Sequence, residues 1–361
     1  MKKLLSILLV LTLTALFAGC ANNGSNDATP APTQSSGDNT GAGSIVKLGL
    51  GQNITIAKSK SAEGENGAVA QVDTVIAAVG FDKDGKVVSV TIDTAQTKVN
   101  FDKDGKLTSD PAAEQQTKVE LGDGYGMKKN SGIGKEWYEQ IAELEKWMVG
   151  KTVEEIKALK TKQKDDAHPA VPDDPELTSL VTISVQDYIA AVVEAYEKAV
   201  AVEGGASKVG LGHVISIAKS KSAEGDNGPA AQVDTVMAAA AFTADGKAAA
   251  VKIDTAQTKV SFDKDGKLTS DPAAEQQTKV ELGEGYGMKK NSGIGKEWFE
   301  QIAELEKWMT GKTVEEIKAM KTKQKDDAHP AVPDVPELTS LVTVTVQDYI
   351  AAVDEAYKNA K

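Results

Sequence analysis

Cysteine is almost absent from this sequence: Cys20 is its one thiol among 361 residues. A single cysteine excludes an intrachain disulfide and any all-cysteine metal or iron–sulfur centre. Three histidines leave little for a histidine-rich metal site, and we predict none. Basic residues are outnumbered by acidic ones, 41 Lys and Arg against 53 Asp and Glu. The chain therefore lacks a broad positive field that would bind nucleic acid.

Motifs of hydrolases and nucleotide-binding enzymes are missing as well. The sequence contains no Gly-x-Ser-x-Gly nucleophile elbow and no Gly-x-x-x-x-Gly-Lys-Ser/Thr phosphate loop. The Asp-Asp-Ala-His-Pro segments at 165–169 and 326–330 offer one histidine each to a metal, but they are more typical of surface loops. No hydrolytic constellation is expected, and the catalytic residues are predicted as none.

The amino terminus carries the features of a secretion signal. A basic start at 1–3 precedes an apolar run at 4–17 that is too short for a comfortable membrane span. Ala-Gly before Cys20 resembles a bacterial lipobox, in which the cysteine is diacylated and the signal peptide removed. We predict a lipoprotein signal peptide at 1–19, lipidation at Cys20 and a flexible tether at 20–44, rich in Asn, Ser, Thr, Gly and Pro. The alternative is an ordinary cleaved signal peptide with an incidental cysteine.

The rest of the chain is a repeat. Residues 92–182 match residues 253–343 without a gap and differ at six positions. The likeness extends back to Leu-Gly-Leu-Gly at 48–51 and Val-Gly-Leu-Gly at 209–212. A period of this length indicates a tandem domain duplication and excludes a solenoid. We predict two domains, residues 45–203 (the first copy) and 204–361 (the second copy), with a linker at 203–207.

Periodicity predicts an α+β fold in each copy, with antiparallel strands and helices against one face. Strands are expected at 53–59, 69–81, 87–92, 98–101 and 180–185, with Asp-Gly turns at 82–86 and 102–106. Helices are expected at the apolar stripe from Trp137 to Met148, at a short segment capped by Thr152, and at 186–200.

Two polar segments interrupt this pattern in both copies. Asp-Thr-Ala-Gln-Thr-Lys at 93–98 recurs at 254–259, directly after a predicted strand, where the alternative is a bulge with solvent-facing threonines. Ser-Gly-Ile-Gly-Lys at 131–135 recurs at 292–296 before a helix, an arrangement that presents backbone N–H groups to a phosphate. The alternative is that Ser131 is a plain helix cap. Trp137 and Tyr138 follow as candidates for stacking on an aromatic ligand or for the core.

The chain resembles a known family at these residues. The lipobox, the spacer and the duplicated motifs at 93–98, 120–127 (Glu-Leu-Gly-Asp-Gly-Tyr-Gly-Met) and 131–137 are similar to the pheromone-encoding lipoproteins of flavin-based extracellular electron transfer. The resemblance implies one FMN in each domain, joined through its phosphate to a threonine by an ApbE-type flavin transferase that uses FAD. FMN-binding domains usually carry an Asp and then Ser/Thr-Gly-Ala-Thr, with the last threonine modified, and that exact motif is missing here.

By this resemblance, Thr97 and Thr258 are the expected attachment residues, with Thr117 and Thr278 as alternatives. The residues expected to shape the attachment strand or hold polar parts of FMN are Asp93, Gln96, Asp254, Gln257, Ser131, Gly132, Gly134, Lys135, Ser292, Gly293, Gly295 and Lys296.

The sequence thus predicts a lipid-anchored flavoprotein on the extracytosolic face of the cell membrane. Its expected partners are the flavin transferase, membrane electron-donor proteins or a quinone-linked reductase, and ferric iron or free flavins as acceptors. A ferric-reductase-like activity and release of a pheromone from the signal peptide are further expectations. The competing class is a cofactor-free lipoprotein that binds a solute or a surface.

Overall fold

Eleven strands and eight α-helices make up the computed structural model, which describes residues 44–361. The predicted signal peptide, Cys20 and nearly all of the predicted tether lie outside the described residues. The strands are β1 Ile45–Thr55, β2 Val69–Phe81, β3 Val87–Asn100, β4 Thr161–Lys162, β5 Val171–Pro172, β6 Val200–Ala206, β7 Lys208–Ser216, β8 Ala230–Phe242, β9 Ala248–Ser261, β10 Thr322–Lys323 and β11 Val332–Pro333. The helices are α1 Lys118–Leu121, α2 Trp137–Met148, α3 Val153–Lys157, α4 Gln186–Glu197, α5 Lys279–Leu282, α6 Trp298–Met309, α7 Val314–Lys318 and α8 Gln347–Lys358.

Two antiparallel sheets form the centre of the molecule. The first has the order β3-β2-β1-β6 and the second the order β7-β8-β9. The predicted strand at 69–81 and the turn at 82–86 are confirmed, and Gly85 takes the left-handed conformation that the turn requires, with φ of 76°. Among the described residues, no helix is long and apolar enough to cross a membrane. The predicted class, α+β with antiparallel sheets, is confirmed.

One face of each sheet is covered by helices. The predicted stripe on α2 is confirmed, since Trp137, Ile141, Leu144 and Met148 are all buried in the core beneath the first sheet. Helix α4 lies directly on β1 because Gly49 carries no side chain: a Cβ there would stand 2.0 Å from the carbonyl oxygen of Ala195. The second copy repeats this packing of α8 on β7 through Gly210.

The opposite faces of the two sheets pack against each other. One cluster joins Leu48 and Ile76 of the first copy to Leu211 and Met237 of the second, all of them buried. The backbone contacts between copies are reciprocal: Ala62 N donates to Gly266 O, and Ala223 N donates to Gly105 O, both at 2.8 Å. The copies therefore meet as the two halves of a symmetric dimer would, residue i on j and j on i.

Three predictions of local structure are wrong. The first strand is β1, Ile45–Thr55, which begins earlier than the predicted 53–59. Residues 180–185 form no strand, because their apolar side chains are buried against the helices as a turn and loop, without a neighbouring strand. Most of the predicted linker at 203–207 belongs to β6, which pairs with β1.

Candidate functional site

A buried carboxylate organises the glycine-rich segment that precedes α2. Glu136 is the N-cap of this helix, and its two carboxylate oxygens accept from the backbone N–H groups of Met127 and Lys128 at 2.8 and 2.9 Å. Glu139 closes the cap by accepting from Glu136 N at 2.7 Å. Residues 127–136 are thus pinned into one loop at the start of α2, and Glu297 pins the equivalent loop of the second copy.

Within this loop, Ser131 to Lys135 form the turn predicted as a phosphate-binding segment. Gly134 N donates to Ser131 O at 3.0 Å, and Gly134 is left-handed with φ of 63°. Gly132 and Gly134 are exposed, and a Cβ added at either position would meet no atom within 4 Å, so the turn faces open space. Lys135 pairs with Glu143 at 3.1 Å. Ser131 is not the helix cap, because Glu136 occupies that position.

Gln140 connects this turn to a threonine that sequence reasoning missed. Its side chain is fully buried; Nε2 donates to the Ser131 hydroxyl at 3.3 Å, and Oε1 accepts from Thr182 N at 2.8 Å. The Thr182 hydroxyl lies 3.3 Å from the same Oε1, and the residue is half-buried just before α4. A half-buried threonine hydroxyl, a glycine turn and a helix start therefore meet at one place.

The second copy repeats this arrangement. Gln301 Oε1 accepts from Thr343 N at 2.8 Å and lies 3.3 Å from the Thr343 hydroxyl. Its Nε2 donates to the hydroxyl of Ser292 at 3.2 Å, in the turn that also contains Gly293, Gly295 and Lys296.

The strand predicted to carry the attachment threonines lies deeper in the protein than Thr182. Thr97 sits on β3 opposite Val72 of β2 and is 4% exposed. It shares its strand face with Ala95 and Val99, which belong to the core between the two sheets. Thr258 has the equivalent place, opposite Val233. Both hydroxyls therefore face protein rather than the surface.

Asp93 and Thr117 form a buried polar pair beside that strand. Asp93 Oδ1 accepts from Thr94 N at 2.6 Å and from Val119 N at 3.2 Å. Burial raises the pKa of Asp93, and the Thr117 hydroxyl opposes this shift. Thr117 is fully buried and caps α1 through a reciprocal pair with Glu120. In the second copy, burial raises the pKa of Asp254 to about 6.

Lys118 is a buried lysine of the first copy. It is 8% exposed, and its Nζ lies 5.1 Å from the ring centroid of Tyr125 and 5.2 Å from that of Trp137. Among the described residues no carboxylate lies within ion-pairing distance of this amine; Asp73 and Asp93 act on its charge from farther away, and Asp73 is paired with Lys58. Burial lowers the pKa of Lys118 to about 8.

Aromatic side chains fix the position of this lysine. Trp137 Nε1 donates to Tyr188 Oη at 2.9 Å, which places the indole in the core, as one alternative expected. Tyr125 Oη donates to Gln96 Oε1 at 3.4 Å. Lys279 of the second copy lies 5.0 Å from Tyr286 and 5.1 Å from Trp298, and burial lowers its pKa to about 8 as well; Gln257 is the counterpart of Gln96.

The Asp-Asp-Ala-His-Pro segments are small surface turns. His168 Nδ1 lies 2.7 Å from Asp165 Oδ1, and both side chains are exposed. This contact lowers the pKa of Asp165. The expectation of surface loops agrees with this exposure.

Comparisons with protein-family models, with curated proteins and with solved structures find no match to this chain. The site is therefore interpreted from its own geometry. One of its members left a weak signal in the sequence. Thr182 follows Ser179 at the spacing of the Ser/Thr-Gly-Ala-Thr motif, with other residues between them. Lys118 left none, because an isolated lysine is normally a surface residue.

Proposed function

We propose that the chain is a membrane-anchored, extracytosolic flavoprotein that carries one covalent FMN in each of two FMN-binding-type domains and relays electrons to extracellular acceptors. The observation that supports this best is the duplicated constellation of threonine, glutamine and glycine turn. Thr182, Gln140 and Ser131 in the first copy have counterparts at closely matching distances in the second. A site built twice suits a protein that holds two identical groups.

We further propose Thr182 and Thr343 as the attachment residues. A transferase must reach the hydroxyl that it modifies, and these two threonines are half-buried, whereas Thr97 is 4% exposed and faces the core between the sheets. In the modification, the threonine oxygen would attack the FMN phosphorus of FAD. A Thr O–P bond forms, the pyrophosphate bond breaks, AMP leaves and the hydroxyl proton is released.

The residues around Thr182 fit a phosphate-linked aromatic group in their chemistry. The turn at 131–135 leaves open space at its glycines, and Lys128 and Lys129 are exposed beside it. The backbone N–H groups of Met127 and Lys128, however, already donate to Glu136. Positive charge for the phosphate would therefore come from lysine side chains rather than from the start of α2.

FMN, when bound, would supply reversible one- and two-electron chemistry, while the chain orients it and sets its electrostatics. Gln140 holds the attachment threonine in place through two contacts. Lys118, buried against two rings without a paired carboxylate in the described part of the chain, would contribute a positive charge that Asp73 and Asp93 partly offset.

The remaining parts of the proposal rest on the sequence. Lipidation at Cys20 would anchor the protein, and the tether at 20–44 would hold it near the membrane. A flavin transferase would load it, membrane donor proteins or a quinone-linked reductase would reduce it, and ferric iron or free flavins would accept its electrons. Covalent attachment suits an extracellular protein because a dissociable flavin would be lost to the medium.

Intact mass and peptide mapping of the chain co-expressed with a flavin transferase test this proposal. We expect two added FMN groups, on the peptides that contain Thr182 and Thr343, and one fewer in Thr182→Val. The matched control Thr97→Val should keep both. Modification at Thr97 and Thr258 instead would retain the function and refute our attachment residues. No added mass, with the transferase active on a control substrate, would favour the cofactor-free binding lipoprotein.

A further inference from the structure

A histidine lies between two carboxylates where the two copies meet. His213 of β7 is 7% exposed. Its Nε2 lies 3.1 Å from Glu120 Oε2 of the first copy, and its Nδ1 lies 3.2 Å from Glu355 Oε1 of α8. One ligand atom from each of these three residues lies within 4.8 Å of the others. The cluster belongs to neither copy alone.

The symmetry-related place in the other half holds a fixed cation. Gln52, Glu194 and Glu281 are the counterparts of His213, Glu355 and Glu120. There, Lys198 Nζ contacts Glu194 and lies 3.0 Å from Glu281. An ammonium group thus sits between the two carboxylates and offsets part of their charge.

That ammonium has no equivalent beside His213. The counterpart of Lys198 is Asn359, whose amide donates to Leu211 O at 3.1 Å. Glu120 and Glu355 therefore face each other across an imidazole, and the buried Asp93 adds further negative electrostatic influence on His213. Lys198 in one half thus marks a position at which the other half has two carboxylates and no ammonium.

We propose that Glu120, His213 and Glu355 bind a divalent transition-metal ion of the Zn²⁺ class. An imidazole with two carboxylates suits Zn²⁺ and its neighbours, whereas Mg²⁺ and Ca²⁺ prefer oxygen ligands alone. Bonds of about 2.1 Å in a tetrahedron place ligand atoms about 3.4 Å apart. Glu120 Oε2 lies 3.1 Å from Nε2, close to that spacing, whereas Glu355 Oε1 lies against Nδ1, so the Glu355 carboxylate must shift to share an ion bound at Nε2. Two carboxylates also balance the charge of one divalent ion.

The partial exposure of Glu120 leaves one side of the proposed metal site open to solvent. Its side chain is 37% exposed, while that of His213 is buried. Three protein ligands leave a fourth position for water on the open side. The ion would also join α1 of the first copy to β7 and α8 of the second, so that binding stabilises the contact between copies.

Isothermal titration of the full chain with zinc chloride tests the site, with two variants that copy the other half. His213→Gln installs the residue of position 52, and Asn359→Lys installs the ammonium of position 198. We expect one Zn²⁺ bound in the micromolar range, at least tenfold weaker binding in His213→Gln, and similar weakening in Asn359→Lys because the ammonium occupies the cation position.

Thermal unfolding gives an independent readout. Zinc should raise the melting temperature of the parent chain and leave the melting temperatures of both variants unchanged. Circular dichroism checks that the variants are folded. A double variant, His168→Gln with His329→Gln, removes the surface histidines and should bind as the parent does. No saturable binding, equal binding of magnesium, or unchanged binding in both interface variants would overturn the proposal.

Discussion

Replacing the two buried lysines should make the protein more stable at neutral pH. Lys118 and Lys279 each lie against two aromatic rings with a pKa lowered from 10.5 to about 8 by burial. A shift of this size corresponds to about 3 kcal/mol of destabilisation per lysine at neutral pH. Cation–π contacts offset about 1 kcal/mol of this destabilisation. We expect methionine at each position to add about 2 kcal/mol to the free energy of unfolding.

The pH dependence of the free energy of unfolding gives the sharper test, because a lowered lysine pKa can only make stability rise with pH. Between pH 8 and 10.5 the unfolded chain keeps the lysine proton while the folded chain has lost it, so stability rises with pH. The rise should be about 2 kcal/mol per lysine from about pH 7.5 to about pH 9.5. Burial also raises the pKa of Tyr188 and Tyr349, whose opposite effect begins near pH 10 and bounds the window.

This pH dependence can be measured by urea unfolding at several pH values. The parent chain is compared with the double variant Lys118→Met, Lys279→Met. The advantage of the double variant should shrink from about 4 kcal/mol near pH 7.5 as the pH rises. Lys128→Met, at an exposed position, should follow the parent curve. A parent curve that stays flat up to pH 9.5, or a double variant that rises as steeply, would refute the electrostatic interpretation of these lysines.

Three further changes test other parts of the structure. Gly49→Ala should cost about 3 kcal/mol or more, because its Cβ would meet the Ala195 carbonyl oxygen at 2.0 Å; Gly124→Ala, in open space, should be nearly neutral in the same urea titration. Glu136→Gln can keep one of its two loop contacts, so amide exchange in the preceding loop should speed up while that of α2 is unchanged. Cys20→Ala should abolish the incorporation of labelled fatty acid into the protein; unchanged incorporation would contradict lipidation at Cys20.

Local signals in the sequence predicted a large part of the fold. Asp-Gly at 84–85 requires a left-handed residue, and the hairpin forms there. The apolar stripe of α2 and the capping box at Thr152 and Glu155 need only neighbouring residues, and both are present. The strand predicted at 180–185 failed because β-branched, apolar residues are equally suited to burial under a helix.

The candidate site could not be predicted in the same way, because its parts are distant in sequence. Gln140 and Thr182 are brought together only by the packing of α2 beside the segment before α4. Lys118 is buried by rings at 125 and 137, which no periodicity connects to it. The contact of His213 with Glu120 further depends on how one copy packs on the other.

Joining two copies in one chain allows equivalent positions to diverge, and the structure indicates where this has happened. In a dimer of identical chains, one change alters both halves of the interface at once. Here residues 92–182 and 253–343 remain nearly identical, whereas β1 and β7 differ at many positions. Gln52 has its counterpart in His213 and Lys198 in Asn359, so the two carboxylates hold a fixed ammonium in one half and an imidazole in the other. A metal site at His213 would thus be a property of the joined chain, since neither copy alone carries all three ligands.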